Sequence, residues 1–526
     1  MEFLDKINPR IYQIEIFEKC IEKNCLVVLP TGLGKTLIAL MLTIERMKKF
    51  PGQKVIFLAP TKPLIEQHIA YFKKNLPELF ADMQLFTGQI DSESRKKIFR
   101  TADIIFSTPQ CIANDLKKDF YDLREVCLLI EDEAHRCVKE YDYNYIAKRY
   151  KAQNETSCRI LGLTASPGSE QQKIKEICNN LSIESVEIRT RESIDVKGYL
   201  QEREFEKIEV EFPKELLEIR HVMFGLYDQY VEELKLRGIA FGPVTKGRLI
   251  KLQKEISDTI KRGNKDYNYL IGASACAQAI KIQHSIELLE TQTLKSFLDY
   301  LKKLFEEARM GKSKGVVRLV SKPEFNHCFM QANELLIKGY EHPKLEKIEE
   351  IIKYEFGKNP NFKGIIFSQF RETTREIAER LNKIEGIIAK SFVGQASKAG
   401  IRLTQKDQKK MIQDFSEGKM NVLCATCIAE EGLDIPEVSA VIFYEPVPSA
   451  IRTIQRAGRT ARQNKGKLII LITKDTKDEN SFYVSKAREK KMETSIAKIK
   501  ENMIRDEKIE IKEIQEIVKN ETQTKL

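Results

Sequence analysis

Pro30-Thr31-Gly32-Leu33-Gly34-Lys35-Thr36 is the stretch of sequence that decides the fold. It follows a short apolar run, residues 25–29, and precedes an amphipathic segment with helical spacing. A glycine-rich turn between a buried strand and a helix presents backbone N–H groups and the helix N-terminus to a phosphate. We therefore expect Lys35 to reach the outer phosphates of a nucleotide and Thr36 to bind Mg²⁺. Leu29 stands where the strict phosphate-loop pattern has its first glycine, and such a turn can also arise by chance.

A cluster of carboxylates forms the second element. Residues 126–130 are an apolar run that ends in Glu131-Asp132-Glu133-Ala134-His135. Carboxylates at the tip of a buried strand are costly unless they face a cation. Asp132 therefore fits a Mg²⁺ ligand, and Glu133 fits the group that orients or deprotonates an attacking water. The alternative is an ordinary acidic loop after a strand.

The third element is a run of arginines, Gln455-Arg456-Ala457-Gly458-Arg459-Thr460-Ala461-Arg462. A spacing of three predicts that the arginines lie along one face of a helix. Their planar, permanently charged guanidinium groups suit a γ-phosphate in a transition state. Without the first two elements, the default interpretation would be a solvated basic helix. With the first two elements present, the arginines would be supplied from the opposite half of the molecule. Hydrolysis of the nucleotide would then depend on closure of the two halves.

Short apolar runs alternate with helical segments in two parts of the chain. The first set is residues 25–29, 54–59, 103–106, 126–130 and 158–163, and the second is residues 363–367, 387–392, 421–425, 440–444 and 467–472. Alternating βα units predict an α/β fold with two doubly wound parallel-sheet lobes. Residues 200–340 have helical spacing instead, which predicts a helical insertion between the lobes. Beyond residue 475 the chain is charged with an isoleucine stripe, which predicts a terminal helix on the second lobe or a linker.

Composition narrows the class of protein. The 526 residues are 42% hydrophobic and 31% charged, which is typical of a soluble folded chain of about three domains. No stretch approaches the length of apolar sequence that a membrane span needs, and the first residues lack the features of a secretory signal. The 11 cysteines form no dense framework and indicate reduced thiols in a cytoplasmic protein. Lys and Arg exceed Asp and Glu, 88 against 77, which permits a nucleic-acid partner without requiring one.

Taken in order, the motifs resemble those of superfamily 2 helicases of the DEAH-box type. The matching segments are Pro9-Arg10-Ile11-Tyr12-Gln13, Thr31 to Thr36, Ala59-Pro60-Thr61-Lys62-Pro63-Leu64, Phe86-Thr87-Gly88, Thr108-Pro109-Gln110, Asp132 to His135, Thr164-Ala165-Ser166, Ile366 to Arg371, Ala425-Thr426 through Glu431-Gly432-Leu433-Asp434, and Gln455 to Arg462. These segments occur in the family's order. The resemblance implies two RecA-like lobes that bind ATP and Mg²⁺ between them.

The resemblance also implies a role for individual residues. Those implied in catalysis are Lys35, Glu133, Gln455, Arg459 and Arg462, the last two as arginine fingers. Those implied in nucleotide binding are Arg10, Gln13, Thr31, Gly32, Gly34, Lys35, Thr36 and Asp434, with Thr36 and Asp132 on the metal. Those implied in contacts with a nucleic-acid strand are Thr61, Lys62, Thr87, Gly88, Thr108, Gln110, Gln395 and Thr426.

Four further segments look like the archaeal helicase-associated endonuclease for fork-structured DNA, whose family includes the Fanconi anaemia group M translocase. They are Pro30 to Thr36, Leu163 to Gly168, Phe392-Val393-Gly394-Gln395-Ala396-Ser397 and Tyr444 to Arg452. This resemblance implies an ATP-dependent DNA helicase that remodels branched DNA, such as stalled forks and Holliday junctions, in repair. Archaeal members usually continue into a nuclease with a Glu-Arg-Lys-x-x-x-Asp motif. We find no such motif and do not predict nuclease activity.

The resulting domain prediction is a first lobe at residues 1–195, a helical insertion that binds branched nucleic acid at 196–340, a second lobe at 341–490 and a charged helical tail or linker at 491–526. We expect a monomer in the cytoplasm, associated with the nucleoid, with a separate nuclease or sliding clamp as a candidate partner. Two alternatives stay open. One is an ATPase that depends on double-stranded RNA, and the other is an ATP-gated scaffold that binds junctions without unwinding them.

Overall fold

Two parallel sheets and a helical bundle make up the protein in its computed structural model. The structure describes residues 8–154, 158–199, 203–262, 266–394, 404–426, 435–460 and 465–523. Within these ranges the sheets have seven and six strands, and each carries helices on both faces. The predicted α/β class with two lobes and a helical insertion is therefore confirmed. Among the described residues, no helix combines the length and the apolar composition that a bilayer crossing needs.

The first lobe is built around the seven-stranded sheet, with strand order β3-β4-β2-β5-β6-β1-β7. Its strands are β1 (Cys25–Val28), β2 (Lys54–Leu58), β3 (Met83–Phe86), β4 (Ile104–Ser107), β5 (Val126–Asp132), β6 (Ile160–Thr164) and β7 (Ser185–Ile188). Its helices are α1 (Ile11–Glu22), α2 (Lys35–Lys49), α3 (Lys62–Asn75), α4 (Ser92–Thr101), α5 (Pro109–Lys117), α6 (Asp142–Gln153), α7 (Gln171–Asn180) and α8 (Ile194–Lys197), with a 3₁₀ turn at Ala134–Arg136. The central strands are buried on both faces, as parallel strands covered by helices must be.

A helical bundle, with six helices among the described residues, follows the first lobe and one intervening strand. It consists of α9 (Lys214–Leu236), α10 (Lys246–Lys261), α11 (Tyr267–Thr291), α12 (Leu294–Arg309), α13 (Lys314–Val320) and α14 (Pro323–Ile337). The apolar faces of these helices meet in one core. Hydrogen bonds tie this bundle to the second lobe, since Gln292 accepts from the hydroxyls of Ser368 at 3.2 Å and Thr373 at 2.9 Å.

The second lobe contains the six-stranded sheet, with strand order β10-β11-β9-β12-β13-β8. Its strands are β8 (Arg203–Val210), β9 (Gly364–Phe367), β10 (Ala389–Phe392), β11 (Val422–Ala425), β12 (Ala440–Phe443) and β13 (Gly466–Thr473). Its helices are α15 (Pro343–Lys358), α16 (Arg371–Leu381), α17 (Gln405–Ser416), α18 (Ala450–Ala457) and α19 (Lys477–Gln523). The prediction that the insertion begins at residue 196 is wrong for β8. That strand pairs in parallel with β13 over its whole length and therefore belongs to the second sheet.

Helix α19 departs from the prediction that the tail packs on the second lobe or forms a linker. The helix starts directly after β13, so the predicted boundary at residue 490 falls inside one continuous helix. Met492, Ile496 and Ile499 are buried in the core of the first lobe, against α7 and β7. On the same helix, Ser485 shares a hydrogen bond of 2.9 Å with Thr453 of α18. Helix α19 therefore spans both lobes.

Candidate nucleotide site

The predicted phosphate-binding loop has the required backbone conformation. It joins β1 to α2, and Gly32 and Gly34 have φ angles of 88° and 80°. These angles favour glycine because a Cβ atom would crowd the backbone. At Gly34 a Cβ atom would also lie 2.2 Å from Nε2 of Gln13. Lys35 is the first residue of α2, and its ammonium donates to the carbonyl of Leu29 at 2.8 Å.

The segment predicted to recognise the base is bonded directly to this loop. Gln13 Nε2 donates to the carbonyl of Leu33 at 3.0 Å, and the hydroxyl of the fully buried Tyr12 donates to the same carbonyl at 2.8 Å. Gln13 also accepts from the backbone N–H of Arg10 at 2.8 Å, which fixes the start of α1. The guanidinium of Arg10 lies over the ring of Tyr199, 5.0 Å from its centroid. Arg10 and Gln13 are predicted from the sequence motif, whereas the contact made by Tyr12 is not.

The acidic cluster lies at the carboxyl end of β5, as predicted. Asp132 is the last residue of that strand and is buried, and Glu133 follows in a left-handed conformation with φ of 54°. Asp132 Oδ2 is 2.8 Å from Nε2 of His68 on α3. Burial raises the pKa of Asp132, but His68 and the ammonium of Lys35 lower it by more, so the carboxylate form is favoured. The ammonium of Lys35 thus acts electrostatically on the Asp132 carboxylate.

Helix α3 supplies a residue that the sequence analysis did not single out. His68 is buried, its ring contacts the ring of Phe57 with centroids 4.4 Å apart, and it holds the Asp132 carboxylate. The residue follows the predicted strand-contacting Lys62 on the same helix. A histidine two turns after such a segment is the only sequence signal, and it is weak without the three-dimensional contact.

A chain of hydrogen bonds continues from the acidic cluster to Thr164-Ala165-Ser166. His135 Nδ1 is 3.2 Å from the carboxylate of Glu133 and 3.1 Å from Thr164 Oγ1. Thr164 in turn accepts from the N–H of Ser166 at 3.1 Å. The hydroxyl of Ser166 lies 2.8 Å from the sulfur of Met492 on α19. These contacts connect the candidate water-activating residue to the helix that spans both lobes.

The arginine run differs from its predicted conformation. Helix α18 ends at Ala457, and beyond Gly458 the chain turns so that Thr460 pairs with Val438 in an isolated parallel bridge. The prediction that the arginines share one helix face is therefore wrong. Arg456 is fully buried with its guanidinium over the rings of two phenylalanines, whereas Arg459 lies beyond the helix. The burial of Arg456 and the strand pairing of Thr460 determine the conformation here, whereas the helical spacing of the arginines does not.

The two lobes meet at this turn. A Cβ atom on Gly458 would lie 2.9 Å from Cβ and 3.0 Å from Oγ1 of Thr31 in the phosphate-binding loop. Arg459 is the next residue, and Gln455 is buried one turn earlier in α18. Behind the contact is a cavity of about 390 Å³ lined by both lobes, including Ala165 from the first and Ile454 from the second. The phosphate-binding loop thus lies directly against the arginine-bearing segment of the opposite lobe.

The predicted strand contacts of the first lobe gather at one edge of its sheet. Thr61, Thr87 and Thr108 follow the carboxyl ends of β2, β3 and β4, which are neighbours in the sheet. Lys62, Gly88 and Gln110 are adjacent to them, and the ammonium of Lys62 donates to Gln89 Oε1 at 2.6 Å. In the second lobe, Thr426 follows β11, and its N–H donates to the carbonyl of Phe392 at 3.2 Å. Thr36 begins α2 beside Lys35, while Gln395, Asp434 and Arg462 lie outside the described residues.

Three family models match consecutive parts of the chain. "DEAD/DEAH box helicase" matches residues 10–174, "Putative ATP-dependent RNA helicase, helical bundle" matches residues 214–338, and "Helicase conserved C-terminal domain" matches residues 343–464. These ranges correspond to the first lobe, the bundle and most of the second lobe.

Named relatives cover almost all of this chain. It is 37% identical over 92% of its length to "Putative ATP-dependent RNA helicase MJ1505" of Methanocaldococcus jannaschii, covering 60% of that protein. It is 35% identical over 91% of its length to the "ATP-dependent DNA helicase mph1" of Neurospora crassa, covering 42% of it. It is 31% identical over 93% of its length to the "Fanconi anemia group M protein homolog" of Mus musculus, covering 26% of it. The chain thus spans between a quarter and three fifths of the length of these relatives.

A solved structure matches with nearly complete coverage. The Hef helicase domain of Pyrococcus furiosus is 42% identical, with a TM-score of 0.70, and the alignment covers 91% of this chain and 99% of that domain. The ordered motifs, the two lobes and the bundle agree with this match. The chain therefore belongs to the superfamily 2 DEAD/DEAH-box helicase family that includes the Hef helicase domain.

Proposed function

We propose that this protein is an ATP-dependent DNA helicase or translocase that remodels branched DNA in repair. The observation that supports it best is the contact between Gly458 and Thr31, because it places an arginine-bearing segment of one lobe on the phosphate-binding loop of the other. A nucleotide bound at that contact would be enclosed by both lobes. Hydrolysis of this nucleotide would then change the position of one lobe relative to the other. Such a change moves a motor of this kind along a strand.

The residues present fit ATP with Mg²⁺. The left-handed glycines leave the loop open for phosphates, and the buried Asp132 carboxylate stays ionised beside Lys35. Thr36 and Asp132 would hold the metal ion, which supplies charge neutralisation on the phosphates. Lys35 would bind the outer phosphates. Glu133, held near His135 at 3.2 Å, would orient the attacking water.

The second lobe would complete the site. Arg459 and Arg462 would stabilise the charge that develops on the γ-phosphate, with Gln455 beside them, and Asp434 would contact the ribose. Arg10, Gln13, Thr31, Gly32 and Gly34 would bind the nucleotide from the first lobe. Gln13 donates to the carbonyl of Leu33, which belongs to the phosphate-binding loop. Binding of the base at Gln13 would therefore affect the position of the loop that binds the phosphates.

Helix α3 supports coupling between the nucleotide and the strand. Its first residue, Lys62, is a predicted strand contact, and His68 farther along holds Asp132 at 2.8 Å. A displacement of α3 by a bound strand would therefore act on the carboxylate that is proposed to hold the metal. Thr61, Thr87, Gly88, Thr108, Gln110, Gln395 and Thr426 would contact mainly phosphates, which predicts little sequence preference and a steep salt dependence.

The choice of branched DNA depends on the family to which the chain belongs. Several relatives are named as DNA helicases and one as a Fanconi anemia group M protein homolog. We expect the bundle at residues 214–338 to bind a second arm of a junction. A nucleoid-associated monomer that works with a separate nuclease or sliding clamp is part of the same proposal. The family that matches the bundle and the relative from Methanocaldococcus jannaschii are both named as RNA helicases, so the test must include RNA.

The deciding experiment measures ATP hydrolysis with forked DNA, a Holliday junction, single-stranded DNA and double-stranded RNA. We expect the largest stimulation with branched DNA and ATP-dependent strand displacement or branch migration on the same substrates. Lys35→Ala should abolish hydrolysis, while Lys49→Ala, an exposed lysine at the other end of α2, should not. Stimulation by RNA alone would assign the enzyme to RNA. Tight junction binding without displacement would leave only a scaffold.

A further inference from the structure

An ion pair joins the two lobes on the face where the predicted strand contacts lie. Lys409 on α17 of the second lobe places its ammonium 2.6 Å from Oε2 of Glu66 on α3 of the first lobe. The other carboxylate oxygen of Glu66 is 3.8 Å from the ammonium of Lys62. One carboxylate thus lies between two lysines that come from different lobes.

The surroundings of Lys409 place it among strand-contacting segments. The preceding residue, Gln408, is buried and donates from its amide to the carbonyl of Val393 at 3.3 Å, just beyond the carboxyl end of β10. Strands β10 and β11 are neighbours, and the predicted contact Thr426 follows β11. Lys409 itself lies in none of the motifs from which the strand contacts were predicted.

The exposed side of this ion pair is Lys409, whose ammonium is accessible to another anion. The side chain of Lys409 is 60% exposed, Glu66 is 27% exposed and Lys62 is 26% exposed. Ion pairs of this kind contribute little stability and are screened by salt. A phosphate diester carries the same single negative charge as the carboxylate and has free oxygens for two ammonium groups. The arrangement therefore resembles a phosphate site in which Glu66 takes the place of the phosphate.

We propose that Lys409 binds the phosphate backbone of the nucleic-acid strand together with Lys62, and that Glu66 occupies this position when no strand is bound. The inference rests on the proposed function, since it needs a strand in the cleft. It adds two features to that function: a residue that contacts the strand and a carboxylate that competes with the strand. Binding then exchanges one anion for another between the same two lysines. Since the ligand is backbone phosphate, the contact carries no base preference.

The test is equilibrium binding of a fluorescent oligothymidylate at several salt concentrations. Lys409→Ala should weaken binding about two- to fivefold and reduce the slope of log K against log salt by about 0.7, the value for one phosphate of a single strand. Glu66→Gln should strengthen binding by about two- to fivefold, because the competing charge is removed. Lys410→Ala and Glu78→Gln, exposed residues with the same charge changes, should leave the slope unchanged.

A double variant separates direct competition from general repulsion by Glu66. If Glu66 competes for Lys409, Glu66→Gln should increase the affinity for the oligothymidylate by a smaller factor in the Lys409→Ala background. Repulsion alone would increase the affinity by the same factor in both backgrounds. An unchanged salt slope for Lys409→Ala, or equal gains in both backgrounds, would overturn the inference while leaving the helicase proposal intact. If the unaltered protein binds no strand at all, both proposals fail.

Discussion

Gly458→Ala tests whether the lobes must meet for hydrolysis. The added methyl group would lie 2.9 Å from Cβ of Thr31, whereas carbon atoms in contact prefer about 3.5–4.0 Å. The second lobe would therefore have to retreat by roughly 0.6–1 Å. The φ angle of −72° at Gly458 is one that alanine adopts freely. The other close contact of the added Cβ atom, 3.2 Å to the carbonyl of Ile454, lies within the second lobe.

This retreat would carry Arg459 with it. A misplacement of about 1 Å at a reacting group can lower a rate by about 10²-fold, so we expect kcat for ATP hydrolysis to fall by about that factor. Nucleotide affinity should change by no more than a few fold, because the phosphate-binding loop and Gln13 lie in the first lobe. The assay is steady-state ATP hydrolysis with saturating DNA, combined with equilibrium binding of a fluorescent ATP analogue.

A matched control is available in the bundle. Among the described residues, a Cβ atom on Gly225 of α9 would meet nothing within 4 Å, so Gly225→Ala should leave kcat unchanged. A normal kcat for Gly458→Ala would refute the reasoning, because hydrolysis would then not need the contact with Thr31. A parallel loss of nucleotide affinity would also contradict it, since the substitution would be damaging the first lobe rather than the approach of the second.

Three other substitutions test the remaining contacts. Gly34→Ala places a Cβ atom 2.2 Å from Gln13 and forces alanine to φ of 80°, so binding of a fluorescent ATP analogue should weaken by about tenfold or more. Lys344→Met leaves the buried Asp478 without its ammonium partner and should lower stability by roughly 3–5 kcal/mol, measured by urea unfolding. Burial and the Lys344 ammonium lower the pKa of His342 from 6.5 to about 3, so between these values only the unfolded chain binds the proton. Stability should therefore fall with decreasing pH by up to about 1.4 kcal/mol per pH unit, and His342→Asn should flatten this dependence in the same urea assay.

Local sequence patterns were enough to predict the nucleotide-binding side of the first lobe. The glycine-rich turn, the apolar strand before it and the acidic strand end are each contained within a few residues, so their periodicity and spacing indicate their structure directly. The edge strands β3 and β7 were missed. Each has four residues, two of them only partly buried, and therefore lacks the continuous apolar run of a central strand.

Long-range pairing accounts for the other differences. Nothing in the sequence near β8 indicates that it pairs with β13, which follows it by more than 250 residues. The packing of the Arg456 guanidinium against two phenylalanine rings and the pairing of Thr460 with Val438 are likewise contacts between segments that are separated in the sequence. His68 could not be identified because its partner, Asp132, lies on another element. The roles of the nucleotide and strand residues remain predictions that the proposed experiments would test.

Helix α19 limits how the two lobes can move. Its 47 residues form a rod about 70 Å long that begins on the second sheet and is buried in the first lobe through Met492 and Ile496. A helix that is anchored at two separated places resists stretching. Sliding one lobe along α19 would therefore cost more free energy than rotating the lobes about α19. Residues 189–192, between β7 and α8 near the end of the first lobe, line the same cavity as residues 485, 489 and 492 of the helix. The last part of the first lobe therefore lies beside α19, and we expect the lobes to open and close by rotation about this helix.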